Sequence, residues 1–426
     1  MASAVIPLFT SPYFFAAELG TVSKPGKPAT LNVRQASLQA ATASTSRGAV
    51  PLADKAWRGV FFNPQVKRGE SPEFPWLLHY SLCRHEVQAH LKDLVGTTRV
   101  NFVSVFVNIA HSLQKPSRLP QPGQPVASWA NTAYLDNVAA FIDDCDEAGL
   151  SVEVDLASNL WLPLSVDAQH QIANSGSWPA PTENPWIESA LWYRETIQAI
   201  EDRTRHPERI AMWCMMGNYE FGEAEPCLWD RDDNPAITAS AEKFVKYAWP
   251  IFRSAGKRPK APPILLPILS NSPYWLARSP KARLSAFANL KKWIVDDLAL
   301  PPDYWVMTTY PYCDPAPDGF SYLKAIVDIL GPANAGRIVS TDFKGPGHDQ
   351  ERRDSIIVCP AGQTDSDMVK WHFRKCADYG FAGWWIWAYQ DTPSATTGIR
   401  DLTGNWKSDL VRAIKAAPDS GRDRPQ

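Results

Sequence analysis

The sequence lacks the features that mark a membrane protein, a disulfide-stabilised domain or a nucleic-acid-binding protein. No run approaches the roughly 20 apolar residues of a membrane span. The seven cysteines are scattered, odd in number and contain no Cys-x-x-Cys pair, which argues against a structural zinc site and a disulfide framework but leaves one isolated bridge possible. The formal net charge of −2 gives no basic field that would attract nucleic acid or anionic lipid. We therefore predict no nucleic-acid partner and no membrane span.

The amino-terminal part is poor in acidic residues. Residues 19–53 contain none, and Ala, Ser, Thr, Pro and Gln dominate there. Such a composition buries too little apolar surface to order itself, so we predict a flexible leader over residues 1–54. The apolar stretch 5–19 has no basic n-region and is a poor signal peptide.

The remainder of the chain alternates β-rich runs with helical patterns. We predict strands near 57–62, 100–108, 151–156, 210–216, 263–269, 304–310, 337–342 and 382–388. We predict helices near 84–95, 132–148, 186–205, 238–255, 281–299, 320–330, 366–379 and 406–416. Eight alternating units predict an α/β fold of the closed (β/α)8 type over residues 55–418, followed by a polar tail over 419–426. A doubly wound nucleotide-binding fold would be expected to show a glycine-rich turn after strand one, where this chain has Phe-Asn-Pro-Gln.

Polar and aromatic residues follow the predicted strands, and in such barrels the active site lies at the carboxyl ends of the strands. These residues are Asn63, Asn108, His111, Asn159, Trp161, Asn218, Glu220, Asn271, Tyr310, Tyr312, Asp342, Lys344, Trp387, Gln390 and Asp391. A sugar site needs this mixture, because hydroxyl groups require paired donors and acceptors while sugar rings stack on aromatic faces. The chain has 18 tryptophans, whose rings suit stacking on sugars. The alternative for each tryptophan is that it simply packs in the core.

Two carboxylates stand out among these residues. Glu220 and Asp342 each follow a short apolar run, so each would emerge at the carboxyl end of a strand. An acid that protonates the leaving oxygen and a carboxylate that attacks or directs water are the minimal apparatus for cleaving a glycosidic bond.

Five segments carry a family resemblance in their order and spacing. Trp213–Glu220 resembles the Trp-x-x-x-Asn-Glu ending of strand four in glycoside hydrolase clan A, and Val339–Gly345 resembles the Thr-Glu-Phe-Gly ending of strand seven. Gly380–Trp387 and Gly398–Asn405 are similar to the eighth strand and the Gly-x-x-Asp loop after it. Val306–Tyr310 resembles strand six, whose tyrosine normally contacts the nucleophile. Within the clan, the chain resembles the cellulase and mannanase family 5.

The resemblance implies a hydrolase that cleaves a β-linked poly- or oligosaccharide, with Glu220 as general acid/base and Asp342 as nucleophile. The residues expected to contact the substrate are Asn218, Tyr310, Trp387, Asn159, Trp161, Tyr312, Asn108 and His111. The partner is a carbohydrate substrate, and no metal or organic cofactor is required.

Two departures from the family pattern keep an alternative open. Tyr219 separates Asn218 from Glu220, and adjacent residues of a strand point to opposite faces, so a local bulge would be needed to aim Glu220 at the site. Asp342 replaces a glutamate and is one methylene shorter, which favours a water-mediated inverting reaction or no catalysis. The alternative is a non-catalytic glycan-binding or structural barrel derived from a glycosidase.

The inferred substrate class favours an exported or cell-envelope protein. Because no convincing signal peptide is present, a cytoplasmic location is the alternative. The sequence does not predict an oligomeric state.

Overall fold

The computed structural model describes residues 56–66, 76–114, 124–156, 184–215, 235–262, 287–308, 322–343, 364–391 and 398–418. The predicted leader and polar tail lie outside these ranges, so the domain boundaries stay predictions. No helix in the described ranges is long and apolar enough to cross a membrane.

Eight parallel strands form a nearly closed barrel, which confirms the predicted fold. They are β1 (Trp57–Phe61), β2 (Phe102–Phe106), β3 (Ser151–Asp155), β4 (Ile210–Cys214), β5 (Lys260–Ala261), β6 (Trp305–Thr308), β7 (Ile338–Phe343) and β8 (Gly383–Ile386). Their order is β5-β4-β3-β2-β1-β8-β7-β6. The backbone N–H groups of Asp303 and Tyr304, just before β6, donate to the carbonyl oxygen of Lys260 in β5 at 2.9 and 3.4 Å. These bonds bring the two ends of the sheet together.

A helix lies between each pair of consecutive strands wherever the connection is described, and each helix overlaps a predicted one. The α-helices are α1 (Tyr80–Thr98), α2 (Thr132–Glu147), α3 (Asn184–Glu201), α4 (Pro235–Arg253), α5 (Tyr322–Leu330), α6 (Asp365–Asp378) and α7 (Ser408–Lys415), and a π-helix (Lys292–Asp297) precedes β6. Local sequence sets some of these boundaries. At the start of α6, for example, the Thr364 and Asp367 side chains each accept a hydrogen bond from the other's backbone N–H, forming a capping box.

The fifth strand begins three residues before the predicted start at 263. Lys260 and Ala261 pair with Trp213 and Cys214 of β4. They lie between prolines at 259 and 262, and proline cannot donate to a β-ladder, so the sequence there has the character of a loop. The backbone N–H of Lys260 is instead satisfied by a side chain, since it donates to Asp303 Oδ2 at 2.8 Å. Residues 263–269 lie outside the described ranges.

The strand residues alternate between two apolar clusters. Val103 and Val105 of β2, with Val152 and Val154 of β3, belong to the cluster that the strands share with the helices. Phe102 belongs to the second cluster, which fills the barrel interior. Burial on both faces is typical of parallel strands in α/β barrels.

Aromatic rings fill the interior near the amino ends of the strands, and two glycines make room for them. Trp57 stacks on Phe102 with ring centroids 5.4 Å apart and contacts Tyr304 at 4.8 Å. A Cβ at Gly59 would lie 2.5 Å from Cδ1 of Phe102, and a Cβ at Gly383 would collide with the backbone of Trp57. The barrel interior near the amino ends of the strands is therefore a packed core. An active site must lie nearer the carboxyl ends of the strands.

Candidate active site

Of the ten residues predicted to catalyse the reaction or contact the substrate, the structure describes four at least in part. Asn108, His111 and Trp387 are described with their side chains, and Asp342 is described as a backbone position in β7. The others lie outside the described ranges: Glu220, Asn218, Tyr310, Asn159, Trp161 and Tyr312.

Asp342 lies within an irregularity of strand β7. Ser340 pairs with Trp384, whereas Phe343 pairs with Ile386, so β7 advances by three residues while β8 advances by two. The register shift thus contains Asp342. Extra residues of this kind re-aim side chains and are common beside active sites.

Strand β4 leads toward Glu220 and also contains a register shift. Val152 pairs with Ile210 and Glu153 pairs with Met212, so the additional residue of β4 is near its start. After the shift, Met212 and Cys214 both belong to the cluster inside the barrel.

Trp387 follows β8 directly and forms an aromatic wall with Phe61 and Phe106. Its ring stacks on Phe61 with centroids 4.2 Å apart and an interplanar angle of 11°, and it contacts Phe106 at 5.7 Å. The peptide bond between Trp387 and Ala388 is cis. Only 6% of Trp387 is exposed, so most of its ring is covered.

His111 packs toward the helices. It belongs to a 3₁₀ turn, Ile109–Ser112, and its ring meets the ring of Tyr134 in α2 edge-on at 5.5 Å. Burial, with a smaller contribution from His79, lowers the pKa of His111 below the ordinary histidine value. This imidazole is therefore neutral at neutral pH. Asn108, just before the turn, is half-buried.

Two acidic residues of β3 escaped the sequence prediction. Glu153 and Asp155 are completely buried and alternate with Val152 and Val154, whose side chains pack on the helices. The two acids therefore share the face of β3 that looks into the barrel. The signal was present in the run Val-Glu-Val-Asp-Leu, where a strand predicted to be buried on both faces carries acids at every second position.

Glu153 makes two hydrogen bonds inside the barrel. Its Oε2 accepts from the indole N–H of Trp385 in β8 at 2.7 Å, and its Oε1 accepts from the thiol of Cys214 in β4 at 3.2 Å. Burial raises the pKa of Glu153 to about 7, although both hydrogen bonds act in the opposite direction. Its ionisation thus falls in the neutral range.

The ends of β1 and β8 are fastened together by amide side chains. Asn63 donates to the carbonyl oxygen of Gln390 and accepts from its backbone N–H, both at 3.0 Å. Gln65 donates to the carbonyl oxygen of Asp391 at 2.9 Å. The strand-end residues Asn63, Gln390 and Asp391 therefore serve the loop structure around the barrel mouth.

Arg400 organises the loop after β8. Its guanidinium lies over the rings of Tyr389 and Trp406, at 5.4 and 4.9 Å from their centroids. It also donates to the Tyr389 hydroxyl at 2.5 Å and to the carbonyl oxygen of Gly404 at 2.6 Å, and lies 3.1 Å from His90 Nδ1. These contacts tie the loop to α1 and to the end of β8.

Within the described ranges, no group of three or more His, Cys, Asp and Glu residues could hold a metal ion.

Comparison with known proteins gives a match of fold. Neither a protein-family model nor a curated protein matches the chain. A GH5_18 variant from Bifidobacterium longum subsp. longum ATCC 55813, solved in complex with Manb1-4GlcNAc, is similar in structure with a TM-score of 0.51 and 13% identity over 84% of this chain and 77% of that one. Fpglu1 from Fervidobacterium pennivoraus has a TM-score of 0.51 and 11% identity over 79% and 84% of the two chains.

A third similar structure is the exo-beta-1,4-mannosidase Op5Man5 from Opitutaceae bacterium strain TAV5. Its TM-score is 0.48 and its identity 13%, and the match covers 86% of this chain and 60% of that one. The chain thus spans about three fifths of Op5Man5. The chain shares its fold with the solved GH5_18 protein, as the sequence resemblance to family 5 implies.

Proposed function

We propose that the protein is a glycoside hydrolase that cleaves a β-linked poly- or oligosaccharide with Glu220 and Asp342. The observation that carries this proposal is the register shift in β7. The shift includes Asp342, and β7 pairs there with β8, the strand that Trp387 follows. An extra residue at the carboxyl end of a barrel strand is a common way of directing a side chain into an active site.

Strand β4 leads toward Glu220. Met212 and Cys214 face the barrel interior, and Glu220 follows Cys214, the last residue of β4, by six residues. The position of Glu220 in the strand-four segment that resembles the family pattern assigns it the role of the acid in this proposal.

The reaction uses the two carboxyl groups differently. Glu220 donates its proton to the glycosidic oxygen as the bond to the anomeric carbon breaks, so that the leaving sugar departs as a neutral alcohol. Asp342 attacks the anomeric carbon and forms a glycosyl ester, which a water deprotonated by Glu220 then hydrolyses. Carboxyl groups about 5–5.5 Å apart support this retaining route, whereas about 6.5–9.5 Å leaves room for a water that Asp342 activates, with inversion.

The remaining predicted residues would bind the sugar. Trp387, which packs against Phe61 and Phe106, would offer apolar ring surface to the sugar at the cleavage point. Asn218 and Tyr310 would support the two carboxyl groups, and Lys344 would keep Asp342 ionised. The disaccharide bound by the GH5_18 protein makes β-mannosides the first substrates to test.

A non-catalytic glycan-binding or structural barrel is the second candidate. The low exposure of Trp387 favours the structural form of this candidate, because a sugar platform normally presents more of its face. The short Asp342 side chain favours it as well.

The test is sugar release from β-mannan, β-glucan, xylan and galactan by the wild type, Glu220→Gln and Asp342→Asn. Asp328→Asn is the matched control, since Asp328 is an exposed carboxylate that pairs with Lys324 on α5. We expect release by the wild type and the control and loss in both other variants. Glycan binding without release by the wild type would instead establish the non-catalytic barrel, and release by both variants would show that other residues carry the reaction.

A further inference from the structure

The carboxyl group of Glu153 joins three strands of the barrel. Glu153 belongs to β3, while its hydrogen-bond donors Cys214 and Trp385 belong to β4 and β8. β4 is the neighbour of β3, but β8 is separated from β3 by β2 and β1. The bond to Trp385 therefore spans the barrel interior.

Both of these partner strands lead into the proposed site. Cys214 ends β4, on the path to Glu220. Trp385 lies two residues before Trp387, and Phe61 contacts both rings, at 6.1 Å from Trp385 and 4.2 Å from Trp387. A displacement of Trp385 would thus be transmitted to the aromatic wall through Phe61.

Glu153 lies further from the barrel mouth than the aromatic wall of Trp387, Phe61 and Phe106. From that position it accepts hydrogen bonds from Cys214 and Trp385. The register pairs Glu153 with Ser104 and pairs Asp155 with Phe106, so Glu153 is one layer further from the barrel mouth than the Phe106 ring. The side chain is completely buried. Its position fits a residue that acts through its neighbours.

We propose that Glu153 is a positioning residue of the glycan site, whose carboxylate holds the strand leading to Glu220 against the strand carrying Trp387. This inference rests on the proposed function. It assigns to Glu153 no contact with the substrate and no proton transfer to it.

The ionised form of Glu153 suits this role better than the protonated form. A carboxylate accepts from the indole and the thiol with two charged oxygens, whereas a carboxylic acid keeps one strong acceptor and turns the other oxygen into a hydroxyl, which accepts more weakly. The group facing Glu153 from β8 is the non-titrating Trp385, and β2 contributes Ser104. The titratable groups nearby are Cys214 on β4, a thiol whose pKa is raised by burial, and Asp155 on β3 itself.

The first test compares kcat of the wild type and Glu153→Gln across pH. The substrate is β-mannan, or whichever of the four polysaccharides the wild type cleaves fastest. Glutamine has the size of glutamate but cannot ionise, and its amide N–H₂ must face one of the donors. Because both enzymes contain Glu220 and Asp342, the ratio of their kcat values cancels the titration of the catalytic pair. We expect the ratio to rise from near one at about pH 5.5 to between about 10 and 100 at about pH 8.5, with KM changing little.

The control is Asp144→Asn, another isosteric change of a buried carboxylate. Asp144 lies between α1 and α2, where it accepts hydrogen bonds from Tyr80 and Arg84. We expect this variant to lower the unfolding temperature and leave the pH dependence of the kcat ratio flat.

A second measurement reads the position of Trp385 without using activity. The indole ¹H–¹⁵N resonance of Trp385, assigned by its loss in Trp385→Phe, should shift with a midpoint of about pH 7 in the wild type and stay constant in Glu153→Gln.

The outcomes separate the two proposals. A rising kcat ratio together with a titrating indole supports the positioning role. An active wild type with a flat ratio overturns the positioning role and leaves the hydrolase standing. A wild type that cleaves none of the four polysaccharides overturns the proposed function and the positioning role with it.

Discussion

Glu153 is an acid in a layer of the barrel where neighbouring strands contribute largely uncharged side chains. Burying a carboxyl group disfavours its charged form, and the indole and thiol donors offset only part of that cost. The result is a pKa of about 7 in the folded chain, against an ordinary value of 4.5. At the residue scale, the molecule thus contains a buried acid whose charge changes near neutral pH.

The shifted pKa predicts how stability depends on pH. The folded state binds the Glu153 proton more tightly than the unfolded state, so the stabilisation is complete below pH 4.5 and is lost as pH rises through about 7. The shift corresponds to about 3 kcal/mol between these limits. We expect urea unfolding to show this extra loss between pH 4.5 and about 7, and no further loss above, in the wild type relative to Glu153→Gln. An identical pH dependence in both proteins would contradict a raised pKa at Glu153.

The sequence predicted β3 but did not single out its two acids. The strand pattern was clear, yet which face of β3 looks inward depends on how the other seven strands close around it. Only the pairing of β3 with β2 and β4 decides that Glu153 and Asp155 face the interior. For a strand buried on both faces, alternating acids are the one local signal that a polar layer exists inside the barrel.

At the scale of elements, closure of the barrel between β5 and β6 depends on Asp303. Its carboxylate accepts from both Nη atoms of Arg253 in α4, at 2.6 and 2.8 Å, and from the backbone N–H of Lys260 in β5. Its carbonyl oxygen accepts from Arg337 before β7 at 3.0 Å. One residue therefore joins a helix to the segments on both sides of the closure.

Asp303→Asn should be strongly destabilising. The change leaves the guanidinium of Arg253 buried beside a neutral amide, and breaking a buried ion pair from one side costs about 3 kcal/mol or more. Asp328→Asn removes an exposed pair on α5 and should cost less than about 1 kcal/mol. Urea unfolding of both variants measures the difference. Equal, small effects would show that Asp303 is not needed for closure.

The two glycines at positions 59 and 96 should respond oppositely to alanine. Gly59→Ala places a methyl group against the Phe102 ring and backbone inside the barrel, and overpacking of this kind costs about 1–3 kcal/mol. Gly96 lies in α1 with open space around its Cβ direction, so Gly96→Ala should stabilise by up to about 1 kcal/mol. Thermal unfolding gives both values. A stabilised Gly59→Ala would mean that Phe102 moves aside without cost.

Element order was predictable from the sequence because each unit carries its own periodicity. The apolar runs of β1 to β4 and β6 to β8 overlap the predicted strands, and the capping box of α6 begins close to the predicted residue 366. The predicted strand at 263–269 lies outside the described ranges, and the prediction missed Lys260 and Ala261 of β5 because they lie among prolines. Their pairing is supported by Asp303, more than 40 residues away, and no local pattern reports such a contact.

At the scale of the whole molecule, the barrel gathers the carboxyl ends of all eight strands at one mouth. That geometry is why the sequence alone was enough to choose candidate residues at the strand ends. Position at a strand end does not by itself separate site residues from residues that hold the loops together. Asn63 and Gln390 are strand-end residues of the second kind, because they hydrogen-bond to each other. Position at a strand end also could not foresee that His111 packs on Tyr134 rather than toward the barrel.

The most direct test of the account compares aryl β-glycosides of the sugar that the wild type releases, one with a phenol and one with a dinitrophenol leaving group. A dinitrophenolate departs without a proton, so Glu220→Gln should lose about 10²- to 10⁴-fold in kcat/KM on the phenyl glycoside and far less on the dinitrophenyl one. Asp342→Asn should lose activity on both, because it lacks the group that attacks or activates water. Equal losses on the two substrates in Glu220→Gln, or full activity in Asp342→Asn, would contradict the assigned roles of the two carboxyl groups.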